Sequence, residues 1–204
     1  MAKAGAVVGV AEHGNSAELV TLASAEGSIV DRRRVDLTEG LPTQPYHHEG
    51  AWAVGRYRDS AWSRDVTLEE AIELVQQVEA AALEGARSCL SALAAELALP
   101  IKQISIRVCA ELPETIEARI RDNRAQTQAD SIMYRQALAS AATELRWTLH
   151  WYDRKQVVDD AATGLAGADL QEVLKAMGKT VGPPWQARHK LAATAALASL
   201  AASG

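Results

Sequence analysis

A chain of 204 residues, 48% hydrophobic and 23% charged, carries enough apolar material for one well-filled core, so a single domain over 1–204 is expected. Its formal charge of −5 argues against a nucleic-acid face covering much of the surface and leaves room for a local basic patch. No apolar run is long enough to cross a bilayer, and Gly9, Glu12 and His13 break the first apolar stretch, against a cleaved export peptide.

In chain order, Ala6 to Ala11 reads as a short strand that ends in the turn sequence Glu12-His13-Gly14-Asn15. An extended pattern resumes from Ala17 to Ser24, turns at Glu26-Gly27, and returns from Ser28 to Leu37. Three strands joined by tight turns form an antiparallel meander, and Arg32, Arg33 and Arg34 mark the third as an edge strand guarded by charge. Residues 38–66 read as an inserted loop with Pro42, Pro45, Gly50 and Gly55. Thr67-Leu68-Glu69-Glu70 is a capping box, and the helix it opens runs to about Leu97, as one rod or as two pieces parted near Gly85. Pro100 ends it, and Ile101, Ile104, Ile106 and Val108 among polar residues make a fourth strand. Helices follow from Pro113 through Ile120 and from about Asp130 to Leu145. A fifth strand spans Arg146 to Tyr152, with Trp147, Leu149 and Trp151 on one face. Three helices close the chain: Arg154 to Thr163, a short one capped by Asp169 and ending at Met177-Gly178, and Trp185 to Leu200. Strands separated by helices need right-handed crossovers and run parallel to a meander strand. The expected fold is α/β, a mixed five-stranded sheet with helices on both faces.

Cys89 and Cys109 lack a metal-ligand spacing and read as buried thiols in a reducing compartment, so a cytoplasmic location is expected. Phe is absent while Trp numbers five, and the tryptophans lie mostly beside Tyr, Arg or His, either as half-buried core or as the rim of a site. The densest titratable chemistry is Tyr46-His47-His48-Glu49, which puts two of the five histidines beside a carboxylate and a phenol. From an irregular loop, one histidine there can bind metal or act as an acid-base group oriented by Glu49. A small-molecule enzyme built on this loop is one reading of the chain.

The element order, with Val7-Val8-Gly9-Val10-Ala11-Glu12-His13-Gly14 as the first-strand segment, resembles the ribonuclease H-like superfamily, and within it the Holliday-junction resolvases. That resemblance implies acids at the first strand, on the helix after the meander, near the fourth strand and on the final helix, holding divalent metal for phosphodiester cleavage. Ala11 stands where the first-strand acid is most natural, and Glu12 is its nearby substitute. Glu79 or Glu84 corresponds to the helix acid, Glu111 follows the fourth strand, and His189 is the match on the final helix. Asp153 ends the fifth strand, and open sheets bind ligands outside the carboxyl ends of their strands, where Glu12, Glu111 and Asp153 could gather around Mg2+ or Mn2+.

Arg119, Arg121 and Arg124 form the candidate phosphate surface, diluted by Glu114, Glu117 and Asp122. Tyr134-Arg135-Gln136 and Trp151-Tyr152-Asp153-Arg154-Lys155 carry similar mixed chemistry. The resemblance implies a metal-dependent nuclease with nucleic acid as partner; apart from it, no membrane partner is expected and a homodimer is one expectation for the assembly. Ala11 and the acidic balance favour instead a binding module, for nucleic acid or protein, with a degenerate acidic site.

Overall fold

The computed structural model describes residues 5–39, 46–47 and 66–203, so His48, Glu49 and most of the 38–66 loop lie outside the described residues. The meander forms as β1 (Ala6–His13), β2 (Ser16–Ala23) and β3 (Ile29–Asp36), antiparallel throughout, with Gly9 opposite Val20 and Ala11 opposite Glu18. On the other side of β1, β4 (Ile101–Arg107) runs parallel to it and β5 (Thr148–Tyr152) runs parallel to β4. The sheet order β3-β2-β1-β4-β5 is the mixed five-stranded arrangement expected from the element order.

The pleat of β1 divides the core. Ala6, Val8 and Val10 face one layer, and Val7 and Ala11 face the other. The first layer holds α1 (Leu68–Glu96) and α3 (Ala129–Glu144), with α2 (Ile116–Arg121) beside α1. The second holds α4 (Val157–Thr163), α5 (Leu170–Val181) and α6 (Ala187–Ala201). Each fully buried Leu or Ile of these layers contributes ~1.5–3 kcal/mol of transfer free energy, and Leu19, Leu90, Ile104 and Leu138 are among them.

Local sequence explains most helix ends. The Thr67 hydroxyl accepts from the Glu70 N–H at 3.2 Å, and the Glu70 carboxylate accepts from the Thr67 N–H at 2.7 Å, so the capping box closes. These same bonds hold the Glu70 carboxyl below its ordinary value. The helix then runs unbroken through Gly85. The Arg87 guanidinium meets Glu144 with two bonds of 2.8 and 2.6 Å and ties α1 to α3.

Several boundaries differ from expectation: α2 begins at Ile116 rather than Pro113, α4 at Val157 rather than Arg154, α6 at Ala187 rather than Trp185, and β5 at Thr148 rather than Arg146. α5 continues past Met177-Gly178 to Val181 and ends at Gly182, whose φ of 71° with ψ of −177° is a conformation essentially confined to glycine. Gly178 is small for another reason: the Trp185 indole lies against it. Arg32 of β3 then donates to the carbonyls of Gly182 (2.9 Å) and Pro184 (2.5 Å) and fixes the link into α6. That link contains a cis bond between Pro183 and Pro184. α6 lies very close to β1, because a Cβ at Gly9 would fall on the Ala192 carbonyl and the Ala196 nitrogen.

Candidate anion-binding site at the strand ends

β1, β4 and β5 run parallel, so their carboxyl ends open on one edge of the sheet. Glu12, next to last in β1, has the parity of Val8 and Val10 and therefore faces the layer of α3. There Arg135 meets it. Nε of Arg135 donates to Glu12 Oε1 at 2.7 Å, Nη2 lies 2.5 Å from the same oxygen, and Nη1 donates to the Val108 carbonyl at 3.1 Å. Both side chains are less than one-tenth exposed, 9% for Arg135 and 8% for Glu12. A buried carboxylate is tolerable on such terms, paired and hydrogen-bonded.

Around this pair the strand ends gather cations. The Tyr152 phenol donates to the Val10 carbonyl at 2.9 Å, and burial and then the Glu12 charge push its proton affinity up. The charges of Arg107, Arg135 and Arg154 pull the other way, which places all three near one phenol. A depression of about 560 Å3 opens here, lined by Arg107, Cys109, Arg135, Asp153, Arg154 and Lys155. Asp153 turns its Oδ1 to the Lys155 N–H at 2.7 Å, an Asx turn that shapes the rim. Burial raises the Cys109 thiol, so it stays protonated rather than adding a negative charge. A second hollow of about 410 Å3 shares Ala110 and Gln128 with the first and carries Glu111, Asp122 and Arg124. Among the described residues, Arg107, Arg124, Arg154 and Lys155 enter no ion pair.

Of the candidates picked out in the sequence, Asp153 lines this depression, Glu111 lines its neighbour, and Glu12 is bound to Arg135 of the first lining. Glu79 lies elsewhere, 3.0 Å from Arg119, which also donates to the carbonyls of Pro113 and Glu114. Arg119 thus braces α2 against α1, and Arg121 pairs with Glu117 at 2.8 Å on its own helix. Arg124 is the member of that trio that lines a hollow. Glu84 approaches Arg87 at 3.8 Å.

His189 sits across the sheet, in the layer of α6. Its Nδ1 accepts from the Gln186 N–H at 3.1 Å, which leaves Nε2 to carry the proton toward Glu18 Oε2 at 3.3 Å. The ring also stacks on Trp185, with centroids 5.9 Å apart, while the Trp185 indole N–H bonds to the Leu174 carbonyl. Both nitrogens of His189 are therefore engaged in holding the start of α6.

Tyr46 and His47 are helical and buried, with His47 wholly enclosed. His47 Nδ1 lies 2.8 Å from Asp130 Oδ1, in the first turn of α3, and the His47 N–H points at the same oxygen at 3.3 Å. Asn15 Nδ2 donates to Thr38 Oγ1 at 3.1 Å, and Thr38 lies beside the Tyr134 phenol, opposing the rise that burial gives its proton affinity. α3 therefore presents Asp130, Tyr134 and Arg135 to three different parts of the chain. Asp130 and Arg107 were not singled out in the sequence. The available signals were an acid in the first turn of a helix and a charge ending an otherwise alternating strand.

A divalent metal needs several carboxylates converging with open coordination. Among the described residues no group of three or more His, Cys, Asp or Glu could hold a metal ion. Glu12 is engaged by Arg135, Glu111 lies in the adjoining hollow, and His189 is on the far face. As they stand these residues do not fit such an ion.

No family model and no curated protein matches the chain. Among solved structures it is similar to a T. thermophilus RuvC in complex with Holliday junction substrate, at 12% identity over 98% of this chain and 95% of that one, with a TM-score of 0.53. A second Thermus thermophilus RuvC structure is similar at 12% identity over 97% and 95% of the two chains, with a TM-score of 0.46. At this identity the first likeness speaks to fold, and it agrees with the ribonuclease H-like arrangement of sheet and helices described above.

Proposed function

We propose that this ribonuclease H-like protein binds nucleic acid at the strand-end depression and does not cleave it. The observation that carries this reading is the fate of the charges at that edge. Glu12, the acid at the end of β1, is neutralised by Arg135, while Arg107, Arg154 and Lys155 line the depression without an ion-pair partner among the described residues. Open sheets bind ligands outside the carboxyl ends of their strands, and free Arg and Lys there suit phosphate oxygens. The similar fold solved with a Holliday junction supports nucleic acid as the ligand class. Hydrolysis through metal would require Glu12 to leave Arg135, stranding a guanidinium that is 9% exposed.

Binding of labelled branched and linear DNA, followed by anisotropy over a salt series, tests the proposal. The expected result is affinity that falls steeply with salt, and that drops at every salt concentration in the Arg154→Glu/Lys155→Glu variant. No cleavage is expected with Mg2+ or Mn2+. Metal-dependent cleavage that Glu12→Gln abolishes would establish the hydrolytic reading instead. Absence of binding to any nucleic acid at low salt would overturn the proposal entirely.

A further inference from the structure

The geometry points to Trp151 as a stacking platform that makes the strand-end site selective for single-stranded nucleic acid, with an unpaired base on the indole and the adjoining phosphates on Arg154 and Lys155. This rests on the nucleic-acid reading above and adds the form of the strand. Among the described residues β5 is the last strand of the sheet, so Trp151 has a described strand neighbour on one side only, Ile106 of β4. Its parity puts it on the face of Trp147 and Leu149, which pack into the α3 layer. Trp147 is 7% exposed, whereas Trp151, four residues on, is 41% exposed. Among the described residues the exposed large hydrophobics are Val30, Val108, Trp151 and Val158, so Trp151 is the one aromatic ring among them.

Position gives the exposure meaning. Val108, 40% exposed, follows Ile106 on the same face, is hydrogen-bonded through its N–H to the Tyr152 carbonyl at 3.0 Å, and lines the depression. Val108 thus lines the cationic hollow, Trp151 stands two positions before Asp153 of the same lining, and Arg154 and Lys155 are exposed just beyond the Asp153 turn. An aromatic face beside uncompensated cations is the arrangement that binds single strands, because every unpaired base has a π-face and every linkage a phosphate. In a duplex the bases stack on one another, and their faces are closed to an indole at the sheet edge.

The test compares a labelled oligodeoxythymidine with a duplex of equal length, in wild-type protein and in Trp151→Ala, Trp151→Leu, Trp151→Phe and Arg154→Glu/Lys155→Glu. Wild-type protein is expected to prefer the single strand. Trp151→Ala and Trp151→Leu should weaken it by roughly 5- to 150-fold, with duplex binding little changed. Trp151→Phe should retain most of the affinity. Full retention in Trp151→Leu would show that apolar contact suffices and overturn stacking. An equal loss on duplex and single strand, or no loss in Trp151→Ala while the charge-reversed variant fails, would overturn the inference and leave the nucleic-acid reading standing. Failure of the wild-type protein to bind either form would overturn the inference, and the nucleic-acid reading falls with it only if branched DNA is not bound either.

Discussion

Arg135 takes a full charge into a place almost closed to solvent, and Glu12, 123 positions away in sequence, makes that possible. Replacing one partner leaves the other buried and uncompensated. Arg135→Met should therefore destabilise the fold by about 3–5 kcal/mol, while Glu12→Gln/Arg135→Met recovers much of the loss. Urea denaturation of the two single variants and the double variant checks this, and simple additivity would mean that the pair is not coupled. His150 illustrates a subtler residue-scale effect. Burial holds its imidazole below the ordinary 6.5, against the opposing pull of Asp160, and Ser105 Oγ lies 2.9 Å from its Nδ1. The unfolded chain then binds the proton more readily than the folded one as pH falls. Stability from this residue is intact above pH 6.5 and is lost as pH drops through the lower folded value. His150→Gln should flatten that part of the stability–pH curve, measured by thermal melts across the range. Neither partnership could be read from the sequence, since nothing local in Tyr134-Arg135-Gln136 announces an acid more than a hundred residues upstream.

Elements were far more legible than partnerships. Alternation of apolar and polar residues marks the strands, and the Thr67 capping box fixes the start of α1, because both signals are local in origin. Where a local signal had two causes, reading failed. Gly178 has the look of a helix end, yet it accommodates an indole from eleven residues beyond Leu174, and the helix continues. Glu79 falls within the apolar stripe of α1 and has the look of an inward acid, but Arg119 reaches it from α2. Gly9 shows how tightly elements meet. A methyl group there would press on the α6 backbone, which has no rotamer with which to yield. Gly9→Ala should cost at or beyond the upper end of the ~1–3 kcal/mol typical of overpacking, seen as a lowered unfolding midpoint at unchanged m.

Across the whole molecule, composition and site point in different directions. The formal charge is −5, yet the carboxyl edge of the parallel strands shows Arg107, Arg154 and Lys155, with Arg124 in the hollow alongside. Total charge sets long-range solubility, while three or four local cations set what the edge can hold. The position of this edge was legible, because strand order alone decides where parallel strands end. Its chemistry was not, because that depends on which carboxylates are already engaged by arginines from other layers. The pleat of β1 has a consequence for anyone redesigning this protein. Ala11 and Glu12 are neighbours in the chain but address opposite sides of the sheet. Adding acidity around Glu12 would only deepen an engagement with α3. Ala11→Asp would instead deliver a carboxylate to the α6 side, opposite Glu18 and in the layer of His189. On a strand, a single step along the sequence is a change of hemisphere.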